Sequence, residues 1–372
     1  MSRKAAFIYD EAMSHHQLRG DHPMRPVRLQ YTFDLLQSYG AFDQNNSLLV
    51  PPRPATEEEL GMLHTAEYVA AVRSFSQGLS GYEPGRFNFS AQGDNPMYRG
   101  MYDAAALSSG ASLVAAEMVA SKQVDVAFNI SGGLHHASAG HASGFCVFND
   151  PALAIKYFRQ QGLRVAYVDI DAHHGDGVQY AFAEDERVLT VSMHQEDLWP
   201  KTGAIDDIAG GMARNLPVPG GMHDDEMRYV LFEYLIPLGL SFAPQAIVLQ
   251  CGCDTLAEDP LSRQLLGNQS IWEVVGAMTK LAPRSLVLGG GGYSPYGVAR
   301  CWSGVWATIN GIEIPPVLPI TAENILRVIK WSHSRGRQPA NELFTTLADP
   351  WRGGAIRDEV RERVRRLRGY GV

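Results

Sequence analysis

Residues 168–177 read VDIDAHHGDG. The apolar run Val165–Val168 leads directly into Asp169, Asp171, His173, His174 and Asp176. Ionised carboxylates are costly to bury unless something pairs with them. No arginine or lysine lies between Val165 and Ala183 to do so. The stretch is therefore either a knot of acids capped by histidine or a metal site at the end of a strand.

Working outward, other short apolar runs read as buried parallel strands: Ala5–Tyr9, Val124–Ile130, Arg164–Ile170, Val188–Met193, Gln245–Gln250 and Ser285–Leu288. Helical patterns lie between many of them. Pro96–Ser121 is alanine-rich and long enough for a helix. Asp150–Gln161 follows, with Asp150 as N-cap and Pro151 at the first helical position. Asp224–Phe242 is amphipathic, and Pro237 should kink or split it. Ser270-Ile-Trp-Glu273 reads as a capping box for a helix running to Leu281. Strand–helix alternation of this kind predicts an α/β fold, a mostly parallel central sheet flanked by helices on both faces.

The composition agrees. With 372 residues, 45% of them hydrophobic, the chain can bury one large α/β core or two ordinary ones. A net charge of −8 argues against direct nucleic acid binding, which favours a basic face, and is compatible with a basic partner. Cys146, Cys251, Cys253 and Cys301 are too few for a disulfide framework, and Cys251 and Cys253, flanking one glycine, are too close for zinc-knuckle spacing. Reduced, packed cysteines favour a cytoplasmic location. The start, MSRKAAFIYDEAM, lacks the longer apolar region of a signal peptide. Tyr229–Leu249 is interrupted by Glu233, Pro237, Gly239 and Pro244, so no membrane span is expected.

Four strands share a feature at their carboxyl ends. Val124–Ile130 runs into SGGLHHA, Arg164–Ile170 into DAHHGDG, Gln245–Gln250 into CGCDTLAEDP and Ser285–Leu288 into GGGGYSP. Open parallel sheets bind ligands outside these ends. The four motifs should therefore converge on one site.

Asp171 and His173 are two residues apart and face the same way in extended backbone. Asp254, at another strand tip with no basic residue nearby, is the natural third ligand. Two carboxylates and an imidazole leave a coordination position open, as in catalytic zinc sites. The doublet His135-His136 follows two glycines. Asp169 and Asp176 are the acids left over to orient its rings, and two such dyads beside a metal make a proton relay. Gly289–Gly292 suggests either a phosphate cradle or a turn presenting Tyr293. No Gly-Lys-Ser/Thr follows, and a tyrosine hydroxyl can donate to a developing oxyanion.

With these residues in view, the chain resembles the histone deacetylase superfamily, in particular its class I-like bacterial branch of acetoin-utilisation-type deacetylases. The matching stretches are HPMRPVR (22–28), GDNP (93–96), GGLHHASAGHASGFCVFND (132–150), YVDIDAHHGDGVQYAF (167–182), TVSMH (190–194), LQCGCDTLAEDPL (249–261) and LGGGGYSPYGVARCW (288–302). The resemblance implies a single-domain arginase–deacetylase fold over 1–372. The motif-bearing core spans about 5–310. The proline-rich Ile312–Ile320 then leads to a C-terminal helical extension over about 321–372. Its last helix carries Val360, Val364 and Leu367 at helical spacing and reads as a solvated surface helix.

By similarity, Asp171, His173 and Asp254 hold one zinc ion. His135 and His136 are tandem histidines backed by Asp169 and Asp176, and Tyr293 polarises an amide carbonyl. The implied activity is removal of acetyl groups from N-epsilon-acetyl-lysine side chains, with water attacking the carbonyl carbon and His136 protonating the leaving amine. Phe145, next to Gly144, and Leu261 match positions lining a narrow substrate tube. Asp94 matches a rim acid that binds the substrate backbone, and Arg28 an arginine beside an internal channel. A structural potassium would be held by Asp169, Ser192 and Met193, with further carbonyls from Asp171 and His173.

Two departures stand out. The usual tube phenylalanine in an F-P-G-T-G loop is replaced by Trp199 in WPKTG, and Cys253 stands where alanine or serine is common. The indole bears on which acyl group is preferred. Acetylpolyamines or other small acylated amines are an alternative substrate class. A catalytically silent acyl-lysine binder and a dimanganese ureohydrolase are the remaining readings. The latter normally has a paired D-x-D where this chain offers Asp254 alone, with Asp259 further on. Self-association is compatible with all of them.

Overall fold

The computed structural model describes residues 3–336 and 338–371. The outermost positions of the expected domain, 1, 2 and 372, and position 337 of its C-terminal extension lie outside the described residues. Among the described residues, eight strands form one sheet: β1 Ala5–Ile8, β2 Ser47–Val50, β3 Val126–Asn129, β4 Val165–Asp169, β5 Val188–Gln195, β6 Ala213–Val218, β7 Ala246–Gln250 and β8 Ser285–Leu288. The order is β2-β1-β3-β8-β7-β4-β5-β6, and every pairing is parallel.

The four motif-bearing strands β3, β8, β7 and β4 are consecutive in that order. Motifs scattered along the chain thus become neighbours at one edge, because parallel strands place all their carboxyl ends on the same side.

Helices cover the sheet. Met101–Ala120 and Asp150–Gln160 pack together and onto the central strands. Val27–Ser38, Asn268–Met278 and Pro295–Asn310 form a second packed group. Trp302 and Trp306 on the last of these are fully buried. The Trp302 indole N–H donates to the Cys251 carbonyl at 3.0 Å, anchoring that helix beside the end of β7. Truncating such a side chain to alanine costs about 3–5 kcal/mol.

Two strands escape the hydrophobic-run criterion. β2 is a partly exposed edge strand of four residues closed by Pro51 and Pro52. β6, at the opposite edge, contains Arg214, Asn215 and Pro217. Edge strands need not be apolar on both faces, and they tolerate proline.

Helix starts also differ from expectation. Asn149, not Asp150, caps Asp150–Gln160, its side chain accepting from Ala152 N. This leaves the Asp150 carboxylate free to serve elsewhere. No capping box forms at Ser270. That helix starts at Asn268, and the Ser270 hydroxyl donates to the Gly267 carbonyl at 2.9 Å. Asp224–Phe242 stays helical throughout but passes through a π-helical stretch at Leu231–Leu235, just before Pro237. The wider spacing there accommodates the missing proline N–H.

In the C-terminal region, Asp358–Arg368 lies against β6 with Val360, Val364 and Leu367 buried, Arg363 donating to the Pro217 carbonyl, and Arg361, Arg365, Arg366 and Arg368 exposed. All four cysteines are free and buried. Among the described residues no helix is long and apolar enough to cross a membrane.

Candidate active site

Beyond Asp169, β4 turns so that Asp171 and His173 face the tip of β7. One ligand atom each of Asp171, His173 and Asp254 lies within 4.8 Å of the others. His173 Nδ1 is 3.0 Å from both Asp171 Oδ1 and Asp254 Oδ2. Both carboxylates are buried, and no lysine or arginine side chain bridges to either among the described residues. Two buried negative charges sharing one imidazole form an electrostatically incomplete group.

The titration behaviour says the same. Burial opposes a charge on His173, yet Asp171 and Asp254 override it and push the imidazole up to about 10. A proton there stands in for a cation. Burial and then repulsion by Asp171 push Asp254 up to about 6. The donor set, two oxygens and a nitrogen, suits zinc with a position left open.

The carboxylates are oriented from behind. Asp171 Oδ2 accepts from Gln250 Nε2 at 2.7 Å and from Gly291 N at 2.9 Å. Asp254 Oδ1 accepts from Ala172 N at 2.9 Å. The glycine run is thereby explained. A Cβ on Gly291 would stand 2.1 Å from Asp254 Oδ2, and Gly290 and Gly292 both have φ +135°. The run is a turn pressed against two carboxylates, which would repel a phosphate. It is not a phosphate cradle.

The histidine doublet sits on the loop after β3. His135 Nδ1 is 2.7 Å from Asp169 Oδ2, and His136 Nδ1 is 2.7 Å from Asp176 Oδ1. The Tyr167 hydroxyl also donates to Asp169 Oδ2, at 2.6 Å. Asp150 Oδ1 accepts from Leu134 N at 2.8 Å, Asp150 Oδ2 from Gly133 N at 3.1 Å. Asn149 Nδ2 donates to the carbonyls of His135 and Ala137. The Asn149-Asp150 pair therefore holds the doublet's backbone on both sides.

Tyr293 is half-buried beside the carboxylates. Burial, then Asp254 and Asp171, raise its pKa well above the ordinary phenol, so the hydroxyl remains a donor. Its ring meets Phe145 edge-on at 5.9 Å. Trp199, 39% exposed, stands edge-on to His136 at 4.6 Å and to His173 at 6.4 Å. Gly144 fills the remaining gap at φ +48°, where a Cβ would stand 2.4 Å from the His136 ring and 2.6 Å from the Trp199 ring.

Other expected residues lie further out. Leu261 is half-buried, its N–H bonded to Asp259. Asp94 is exposed, and only its carbonyl accepts from His22. Arg28 is buried, donating to the carbonyls of Gly290 and Gly292. With Met13, Leu29, Leu134 and Phe145 it lines a cavity of about 70 Å³. Ser192 on β5 faces Asp169 in register, with Met193 next to it.

Gln250, Tyr167 and Asn149 were not singled out from sequence, and Asp150 was read only as a helix cap. The available signals were a buried amide closing the apolar strand AIVLQ and a tyrosine two residues before Asp169.

The family described as "Histone deacetylase domain" matches residues 22–309. Acetoin utilization protein AcuC of Bacillus subtilis (strain 168) is 36% identical over 332 residues, 84% of this chain and 85% of that protein. Human histone deacetylase 1 is 36% identical over 323 residues, 85% of this chain and 67% of the relative. Type-1 histone deacetylase 1 of Dictyostelium discoideum is 36% identical over 325 residues, 86% of this chain but only 65% of the relative's length. The crystal structure of an HDAC homologue from Aquifex aeolicus superposes with a TM-score of 0.91 at 31% identity, covering 98% of this chain and 100% of that one. A structure of an HDAC homologue complexed with SAHA also gives 0.91, at 32% identity and the same coverage. On the matched family region, on the identity to AcuC and on the likeness of the folds, the chain belongs to the histone deacetylase superfamily, AcuC-like in sequence.

Proposed function

We propose that the chain is a single-domain, zinc-dependent amidohydrolase that removes acetyl groups from N-epsilon-acetyl-lysine side chains and releases acetate. The observation that carries this reading is the triad Asp171, His173 and Asp254, set beside two His–Asp dyads and Tyr293. Bound by that triad, zinc supplies Lewis acidity toward an amide carbonyl and activates water for attack.

The chain's own residues do the rest. His135, held by Asp169, and His136, held by Asp176, accept and return protons around the attacked carbonyl. His136 is assigned the protonation of the leaving amine. The Tyr293 hydroxyl donates to the carbonyl oxygen as negative charge develops there. Phe145, Gly144, Trp199 and Leu261 wall the lysine methylenes away from water. Asp94 holds the substrate backbone at the rim, and Arg28 borders the cavity assigned to acetate. Asp169, Ser192 and Met193 are assigned a structural potassium, supported by the in-register facing of Asp169 and Ser192 across β4 and β5.

The test is a deacylation assay on zinc-loaded protein, with and without chelator. Acetyl-, propionyl- and butyryl-lysine peptides are compared with acetylputrescine and acetylspermidine. Chelator-sensitive turnover of the peptides supports the reading. Turnover of the polyamines alone keeps the chemistry and replaces the substrate. One bound zinc with no turnover leaves an acyl-lysine binder.

A further inference from the structure

Asp259 is buried, and its side chain bonds neither to the metal-binding triad nor to the histidines. Instead it joins two segments distant in sequence. Asp259 Oδ1 accepts from Leu261 N at 2.9 Å. Asp259 Oδ2 accepts from Tyr293 N at 2.6 Å and from Ser294 N at 3.3 Å. From outside, the exposed Arg335 donates to the Asp259 carbonyl and to that of Ala257. Arg335 lies beyond the matched family region, which ends at residue 309.

The need for such an anchor follows from the chain before it. Gly289–Gly292 has no side chains to pack, and two of its residues have positive φ. Glycine backbone loses the most conformational freedom on ordering, so such a segment depends on the bonds made by its peptide groups. Arg28 holds the carbonyls of Gly290 and Gly292, and Cys253 N donates to Gly291 O at 2.8 Å. Among the described residues, Asp259 alone holds the amide of Tyr293 itself.

We infer that Asp259 is a positioning residue for deacylation: its one carboxylate ties the Tyr293 backbone to the Leu261 segment, so that oxyanion donor and tube wall are set as one body. The inference rests on the role proposed for Tyr293. Both carboxylate oxygens are used as acceptors. An amide of the same shape accepts at its oxygen only, because its nitrogen is a donor. Asp259→Asn therefore releases one of the two segments while conserving volume.

The experiment is a double-mutant cycle among wild type, Asp259→Asn, Tyr293→Phe and the double variant, each checked for bound zinc. It is accompanied by hydrogen exchange on a peptide covering residues 289–296. Asp259→Asn is expected to lower kcat by about 10²-fold, the scale of a roughly 1 Å misplacement. In the Tyr293→Phe background the further loss should be within about twofold, since the hydroxyl being positioned is gone. Exchange in 289–296 should quicken while zinc content is unchanged.

Equal losses in both backgrounds, or unaltered exchange, overturn the inference. Should Asp259→Asn fail to fold, Arg335→Ala loosens the same clamp from an exposed side chain. It should quicken the same exchange and lower kcat only where the Tyr293 hydroxyl is present. If wild type turns over no acylated amine, the deacylase reading falls and this inference with it. Equal losses in a working enzyme remove this inference alone.

Discussion

His135 Nε2 and His136 Nε2 stand 2.9 Å apart, each ring held at its other nitrogen by its own carboxylate. Facing ring nitrogens at this distance need one proton between them. Burial opposes a charge on His135, but Asp169 and then Asp171 outweigh it and push the imidazole up to about 9. Burial and the charge on His135 push His136 down to about 3. The pair therefore carries one positive charge at neutral pH, the proton between the facing nitrogens residing on His135, which donates, with His136 accepting.

This sets a pH dependence. A pKa raised on folding means that the proton is kept through neutral pH and lost as pH rises through the folded value. The alkaline limb of kcat/KM should therefore report the pair. A dication at the triad lowers that limb, so the informative quantity is the shift between variants of loaded enzyme. Asp169→Asn removes the strongest support for the His135 charge and should move the limb to lower pH. A limb that stays in place would detach the pair from it.

Metal affinity should depend on Gln250. Its Nε2 donates to Asp171 Oδ2 at 2.7 Å, and its Oε1 accepts from Gly252 N at 2.8 Å. Groups that orient a ligand typically contribute about 10–100-fold to metal affinity. Gln250→Leu should weaken zinc binding by that order in a competitive chelator titration. Asp171→Ala and Asp254→Ala should abolish it.

Tyr293→Phe should leave zinc bound and lower kcat by about 10²-fold or more, the cost of one oxyanion donor. Metal analysis beside steady-state kinetics reads both quantities. An unchanged kcat would remove the hydroxyl from the reaction.

Acyl preference should follow the wall made by Trp199 and Gly144. A smaller residue at Trp199 opens space beside His136, so Trp199→Leu should raise the butyryl-to-acetyl ratio of kcat/KM. Gly144→Ala should do harm, because the new Cβ lands in the rings of His136 and Trp199 at a backbone angle unfavourable for alanine. The pair Gly144→Ala/Trp199→Leu should recover part of that loss in a peptide assay. No recovery would mean that backbone strain alone accounts for the damage.

Much of the sheet was legible because buried parallel strands are short apolar runs, and β1, β3, β4, β5, β7 and β8 all have that form. β2 and β6 did not stand out, since edge strands answer to solvent on one side and may carry Arg214, Asn215 and Pro217. Helix starts were misread at Asn149-Asp150 and at Ser270. Adjacent polar residues compete for the same orphan amides, and the winner depends on which is needed elsewhere. Asp150 is drawn away by the amides of Gly133 and Leu134.

By itself, the sequence determined the residue types and their local spacing: Asp171 and His173 on one side of extended chain, the adjacent histidines, and the polar motifs at strand ends. These are short-range properties carried by backbone periodicity. Only the tertiary structure decided which distant groups share a bond. The order β3-β8-β7-β4 brings Asp254 to His173, Gln250 to Asp171, and Asp259 to Tyr293. A hydrogen bond works over about 3 Å, and proximity on that scale between remote segments is created by strand order and packing.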